Sequence, residues 1–285
     1  MKRLLFSRFI GVAAISLLSS VGGNQVLAST SISLYSDAQT YVISDSSEAN
    51  SNYYGKGAMM ISAPVTDPSY DTGTVARSMN ALFSFNTAGP TTYGSSTSYV
   101  TNPLTAFNVA SDLNGIYGQG QWTITSITMT LASNYYVQNY QPNNNAFNEI
   151  ASGNFIISTL SGNPGLSSVT WNSLQSSGLL STATSDGTFT WTAQPAGTSD
   201  NTSSEPAVTY SLNVTPALVS ALLSGEIYFA GTAADSQVGY LFNTANRIAP
   251  EITITADPLP IPSALLLLGP GLAGLAFVRK RVFGG

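Results

Sequence analysis

The stretch Trp122-Thr-Ile-Thr-Ser-Ile-Thr-Met-Thr-Leu131 sets the class of the fold. Its apolar residues Trp122, Ile124, Ile127, Met129 and Leu131 alternate with hydroxyl side chains, the period of a strand buried on one face. The phase slips at Thr125-Ser126. A slip of one residue turns every later side chain to the other face, so a bulge or a strand start near Ser126 is expected.

Working outward, similar β-branched and aromatic runs occur at Gln39–Ser44, Ala58–Ser62, Ala81–Phe85, Asn154–Leu160, Thr188–Thr192, Ala207–Val214, Glu226–Thr232, Val238–Phe242 and Glu251–Thr255. Turn formers separate them, and with Trp122–Ala132 they predict about ten strands, hence an all-β sandwich. One segment departs from that pattern. In Asn213-Val-Thr-Pro-Ala-Leu-Val-Ser-Ala-Leu-Leu-Ser-Gly225, Thr215 is placed to cap a helix, Pro216 to begin it and Gly225 to follow its end. A single short helix is predicted there, with Val214, Leu218 and Leu222 on one face. Long loops are expected at Pro64–Ser78, Thr87–Gln121 and Ala193–Pro206. No repeat of fixed period is visible, so a single domain is the reading.

Both ends of the 285-residue chain read as processing segments rather than parts of that domain. The N-terminus has a basic start (Lys2, Arg3, Arg8), an apolar stretch Phe9–Val21 and the small-residue pattern Val26-Leu27-Ala28, which predicts a secretory signal peptide, residues 1–28, cut after Ala28. The C-terminus, residues 258–285, joins prolines, an apolar run Ala264–Val278 loosened by glycines, and the cluster Arg279-Lys280-Arg281. The body between them, residues 29–257, holds three basic residues (Lys56, Arg77, Arg247) against fourteen acidic ones, which leaves −11. With no basic stripe to meet phosphates, nucleic-acid binding is excluded as an expectation.

The chemistry open to this chain is narrow. There is no cysteine and no histidine, which removes disulfides, thiolate and imidazole metal ligands, and triads built on His. Paired carboxylates could still serve glycoside hydrolysis. The acidic residues are dispersed beside turn formers, however, as in Thr66-Asp67-Pro68, Tyr70-Asp71-Thr72 and Ser185-Asp186-Gly187, and read as solvated turns. Oxygen-rich loops make calcium the metal to consider, with Asp45 and Glu48 in one loop and Asp67 and Asp71 in another as candidate ligands, although neither matches an EF-hand. Tyr53, Tyr54, Tyr135, Tyr136 and Tyr140 lie among Asn and Gln and are candidate glycan contacts, the alternative being that they are core or loop anchors. Gly269-Pro-Gly-Leu-Ala-Gly274 fits a dinucleotide fingerprint in letters alone, with no βαβ unit around it.

Two resemblances follow. The series Asp37–Val42, Ala49–Gly55, Ala76-Arg77-Ser78 with Leu82–Phe85, Ile124–Leu131, Val169–Asn172, Leu212–Val214 with the helix, Ile227–Phe229 and Pro250–Ile254 resembles the DNRLRE-type domain. That family implies a jelly-roll β-sandwich, also found as carbohydrate-binding modules attached to alginate-degrading enzymes. The tail is similar to the PEP-CTERM sorting signal recognised by an exosortase. Here Pro260-Ile261-Pro262 is a variant of the proline motif, followed by the apolar helix and Arg279-Lys280-Arg281. Positive charge held on the cytoplasmic side and a proline-broken segment at the outer face fit a transient transmembrane anchor, since a lasting span needs about 20 apolar residues.

The sequence therefore implies a non-enzymatic jelly-roll-like protein exported through the inner membrane, anchored transiently by its tail and released to the cell surface or extracellular matrix. Its partners would be an exosortase-type enzyme and an exopolysaccharide, a neutral one because the acidic body repels polyanions. No cofactor is expected other than calcium. A dedicated carbohydrate-binding module and a carboxylate-dependent polysaccharide-cleaving enzyme are the alternatives.

Overall fold

The computed structural model describes residues 28–56, 58–66, 76–87, 108–133, 152–192, 207–243 and 249–260. Eleven strands are described. They are β1 (Thr30–Tyr35), β2 (Ala38–Ile43), β3 (Ala58–Thr66), β4 (Ala76–Asn86), β5 (Trp122–Ala132), β6 (Gly153–Thr159), β7 (Thr184–Trp191), β8 (Ala207–Leu212), β9 (Glu226–Ala233), β10 (Gly239–Asn243) and β11 (Glu251–Pro258). Three helices join them: α1 (Val109–Tyr117), α2 (Trp171–Ser177) and α3 (Pro216–Leu223).

The strands form two antiparallel sheets. One has the order β1-β11-β5-β8, and the other runs β10-β3-β4-β9-β6-β7 with β2 also paired to β4. Met79 pairs with both Ile43 and Ser62, and Ala81 with both Tyr41 and Gly231. Thus β2 flanks one edge of β4, while β3 and β9 follow one another along the other. The inner faces of the two sheets share one core, in which Ile32, Leu34, Ile127, Met129, Ile252 and Ile254 from the smaller sheet meet Met59, Ile61, Phe83, Phe85, Phe155 and Phe229 from the larger. Phe83 stacks on Phe229 at 5.7 Å between centroids and Trp191 on Tyr240 at 4.7 Å. Each such side chain, taken fully out of water, contributes about 1.5–3 kcal/mol before entropy is counted.

The predicted helix is α3. Thr215 Oγ1 accepts the Leu218 N–H at 3.1 Å, Pro216 opens the helix, and Gly225 follows Ser224 with φ of 111°. Leu218 and Leu222 are buried in the sandwich core, but Val214 is exposed and does not share that face. The single-helix expectation is corrected, because α1 lies in the expected loop Thr87–Gln121 and α2 in a stretch to which no element was assigned. Asn108 caps α1 by accepting the Ser111 N–H, and Thr170 with Ser173 forms a capping box on α2. Caps of this kind contribute about 1 kcal/mol each. α1 puts Val109, Leu113 and Tyr117 into the core. α2 instead closes a second apolar cluster, Leu160, Leu166, Val169 and Leu174 against Val42, Leu82, Tyr228 and Ala230 on the outer face of the larger sheet. β1 was also unforeseen, since its hydroxyl-rich sequence TSISLY has only two buried side chains, Ile32 and Leu34.

Among the described residues no helix is long and apolar enough to cross a membrane. Residues 1–27, with the apolar part of the expected signal peptide, lie outside the described residues, as do residues 261–285, which hold Ile261, Pro262, the expected sorting helix, Arg279, Lys280 and Arg281.

Candidate functional site

The phase slip in β5 is a bulge. β11 pairs Thr255 with Ser126 and then Ala256 with Ile124, so Thr125 is the extra residue. By absorbing one residue it keeps Ile124 and Ile127 both pointing inward, and both are buried. The consequence for the other face is a continuous hydroxyl surface on the smaller sheet.

Rows across that sheet follow from the register. Ser33 pairs with Thr253, Thr253 with Thr128, and Thr128 with Ser211. One row away Ser31 pairs with Thr255 and Thr255 with Ser126. On the other side Tyr35, Glu251, Thr130 and Thr209 form the third row. Strands stand about 4.8 Å apart and rows, being two residues apart, about 6.7 Å. Ser31 and Thr255 oxygens lie 2.9 Å apart, Ser33 and Thr253 2.8 Å, and Thr130 and Thr209 2.9 Å. Each hydroxyl has one donor and two acceptor positions. A hydroxyl pair uses one donor internally, which leaves one O–H and several lone pairs directed to solvent. The pairing also restricts side-chain rotation, so less entropy is lost when a ligand binds.

No Lys or Arg lies on β1, β5, β8 or β11. Tyr35, 37% exposed, closes the third row beside Glu251, and its phenol is held above its ordinary pKa by burial and by the Glu251 charge. An aromatic ring, a carboxylate and ranks of hydroxyls are groups that recognise polyols through stacking and hydrogen bonds. Sequence reasoning missed this face as a site. Its signal was present in the hydroxyl-x-hydroxyl pairs Thr128/Thr130, Thr209/Ser211 and Thr253/Thr255, which were read as strand periodicity alone, and in Ser31/Ser33, which was assigned to no strand.

The residues singled out from sequence fall elsewhere. Tyr53 stacks on Tyr41 at 4.5 Å and its hydroxyl donates to Glu48, so one ring face and the phenol are engaged. Tyr54 is 47% exposed, and its N–H donates to Asn52 Oδ1. Asn52 in turn donates to the carbonyls of Leu166 and Val169, and Asn50 accepts from Asn172, tying this loop to α2. Of the calcium candidates, Asp45 is buried. Its Oδ1 accepts the Ser47 N–H and hydroxyl at 2.8 and 3.0 Å, and its Oδ2 lies 2.6 Å from Arg77 Nε. Burial opposes its charge, but the Ser47 bonds and then Arg77 outweigh that and hold the carboxyl below its ordinary pKa. Asp45 and Glu48 share one turn, where the Glu48 N–H donates to the Asp45 carbonyl at 3.0 Å, and no group of three or more acidic side chains that could hold a metal occurs among the described residues. Asp67, Asp71, Tyr135, Tyr136 and Tyr140 lie outside the described residues. Pro260 ends the described chain and is exposed.

Asp186 corrects the reading of its neighbourhood as a solvated turn. It lies inside β7, at a bulge where Ile157 faces Gly187 and Ser158 faces Ser185. It is fully buried, Thr159 donates to its Oδ2 at 2.7 Å, and its Oδ1 has no hydrogen-bond partner. Burial, only partly offset by the Thr159 hydroxyl and N–H, pushes its pKa up to about 6. On the larger sheet's outer face, Tyr228 is likewise held well above its ordinary pKa by burial and then by Glu226 and Asp37.

No protein-family profile matches the chain, and no curated protein matches it. Among solved structures it is similar to a chain of the cryo-EM structure of Mud crab tombus-like virus, with 9% identity, 93% of this chain and 99% of that chain covered, and a TM-score of 0.26. A likeness at that score bears no argument about fold or function.

Proposed function

We propose that the protein is an exported, non-enzymatic structural or adhesive component of the cell surface or extracellular matrix that meets a neutral polysaccharide through the hydroxyl face of its smaller sheet. The observation behind this is the three-row array of Ser and Thr on β1, β11, β5 and β8, with Tyr35 at its margin and no cation among its strands. A polyanion such as alginate would meet an acidic body with no basic partner on this face. An uncharged chain of hydroxyls meets donors and acceptors already set at fixed spacing.

The strand orders support the finer reading of the fold as a jelly roll. With β2, β3 and β10 set aside, β1-β11-β5-β8 faces β4-β9-β6-β7, and successive strands alternate between the sheets except at the β6–β7 hairpin. The sorting reading stands on the tail, where Pro260-Ile261-Pro262 precedes an apolar run and Arg279-Lys280-Arg281. An exosortase-type enzyme would then release the body after transient anchoring in the inner membrane.

Two measurements test this. A glycan array probed with the exported protein should give binding to neutral polysaccharides and none to uronate polymers. Strong binding confined to uronates would overturn the assignment of ligand. Intact-mass spectrometry of the surface protein should place the C-terminus near Pro262, and recovery of Gly285 in the mature form would contradict sorting.

A further inference from the structure

The expected cleavage site and the end of the body meet at one pole of the sandwich. Tyr117, the last residue of α1, has its hydroxyl 2.7 Å from the Ala28 carbonyl oxygen and 3.0 Å from the Ala256 carbonyl oxygen. The Ala28 carbonyl carbon carries the Ser29 nitrogen, so that nitrogen lies within about 5 Å of the Tyr117 hydroxyl by covalent geometry alone. The β1–β11 register pairs Thr30 with Ala256 and Ser31 with Thr255. Continued one step past its last pair, the same register would set Ser29 opposite Asp257, which pairs on its other side with Thr123. Asp257 Oδ1 is buried and has no hydrogen-bond partner.

We infer that this pole is a binding site for the protein's own new N-terminus, in which the α-ammonium of Ser29 is held by Asp257, with Tyr117 and the Ala256 carbonyl beside it. The inference rests on cleavage after Ala28. In that step a signal peptidase adds water across the Ala28–Ser29 peptide bond. The hydroxyl goes to the Ala28 carbonyl carbon and a proton to the Ser29 nitrogen, which takes a second proton from solvent at neutral pH. Ala28 departs with the leader as a carboxylate.

The Tyr117 hydroxyl then loses one of its two acceptors and donates to Ala256 alone, with its lone pairs left for the amine. The buried oxygen of Asp257 gains the cation it lacks in the uncut chain. The titratable groups on the elements packed here are Tyr35 on β1, Asp112 and Tyr117 on α1, and Glu251 and Asp257 on β11, with none on β5. Tyr35 and Glu251 pair at the far end of the sheet. No Lys or Arg on these elements competes for Asp257. Cleavage thus completes a contact between β1 and β11 that the precursor cannot make, so the mature protein is more firmly closed at this end than its precursor.

The test is competitive acetylation of the exported protein across pH, with mass spectrometry of its N-terminal peptide. The α-amine should titrate about one unit above the usual range of about 7.7–8.0. Asp257→Asn should return it toward that range, and Tyr117→Phe should lower it by less. An α-amine that titrates in the ordinary range and does not respond to either substitution would overturn the site. A mature N-terminus at a residue other than Ser29 would overturn it too while leaving export intact, whereas a chain that is not exported at all would remove the export reading as well. If Asp257→Asn does not fold, Tyr117→Phe alone decides.

Discussion

Arg77 Nε lies 2.6 Å from Asp45 Oδ2 in a setting where both side chains are almost completely shielded from solvent. Arg77 comes from β4, and Asp45 from the loop after β2, whose neighbours Asn50 and Asn52 bond to α2 and the segment before it. The pair therefore fixes the loop that brings α2 onto the larger sheet. Arg77→Met would leave a buried carboxylate without its cation and should cost about 3–5 kcal/mol in denaturant unfolding. The lowered Asp45 pKa means that its contribution is present above the ordinary value of 3.8 and is lost as pH falls below it. Asp45→Asn should accordingly flatten the acid limb of the stability curve.

Asp186 has the opposite sign. Its pKa is raised from 3.8 to about 6, so the fold favours the protonated form. Stability from this group is greatest below pH 3.8, declines as pH rises to about 6, and is level above that. Asp186→Asn keeps an acceptor for Thr159 and removes the buried charge. It should stabilise the protein at pH 7.5 by up to about 3 kcal/mol and leave it nearly unchanged at pH 4, read by thermal unfolding at both values.

Gly153 opens β6 where the chain passes against the β9–β10 turn. A Cβ there would lie 2.7 Å from the Val238 nitrogen and 2.8 Å from its Cα, both backbone atoms that cannot rotate away. Gly153→Ala should therefore cost about 1–3 kcal/mol, whereas the same change at Gly115, which meets nothing within 4 Å, should cost nothing measurable or stabilise α1.

Much of this fold was legible because period-two burial survives in the sequence. β5 was bounded at Trp122 and Ala132, and its bulge was foreseen from the slip at Thr125-Ser126. α3 was legible from Thr215, Pro216 and Gly225, whose roles are local. α1 and α2 were not, because their signals are short: Asn108 and Thr170 are ordinary loop residues until the turn forms behind them. β1 escaped because a strand with hydroxyls at alternate positions and only two buried side chains looks like a loop until β11 is placed beside it. Asp45 was read as a candidate calcium ligand and Asp186 as a solvated turn residue, because burial of an acid depends on a distant partner, Arg77 for one and Thr159 for the other. The hydroxyl face is a property of four strands brought together from residues 31 to 255, which local reading does not assemble.

That face is the centre of the functional reading, and Thr→Val tests it with little change of shape. Valine fits a strand and occupies nearly the volume of threonine, so Thr128→Val with Thr253→Val should alter stability by no more than about 1 kcal/mol. The direct measurement is binding of the exported protein to a neutral polysaccharide, compared between the native chain and this double variant at matched fold by circular dichroism. The hydroxyl-face account predicts at least a tenfold loss of affinity in the variant. Unchanged affinity in a folded variant, or no neutral polysaccharide bound by the native protein, would contradict it.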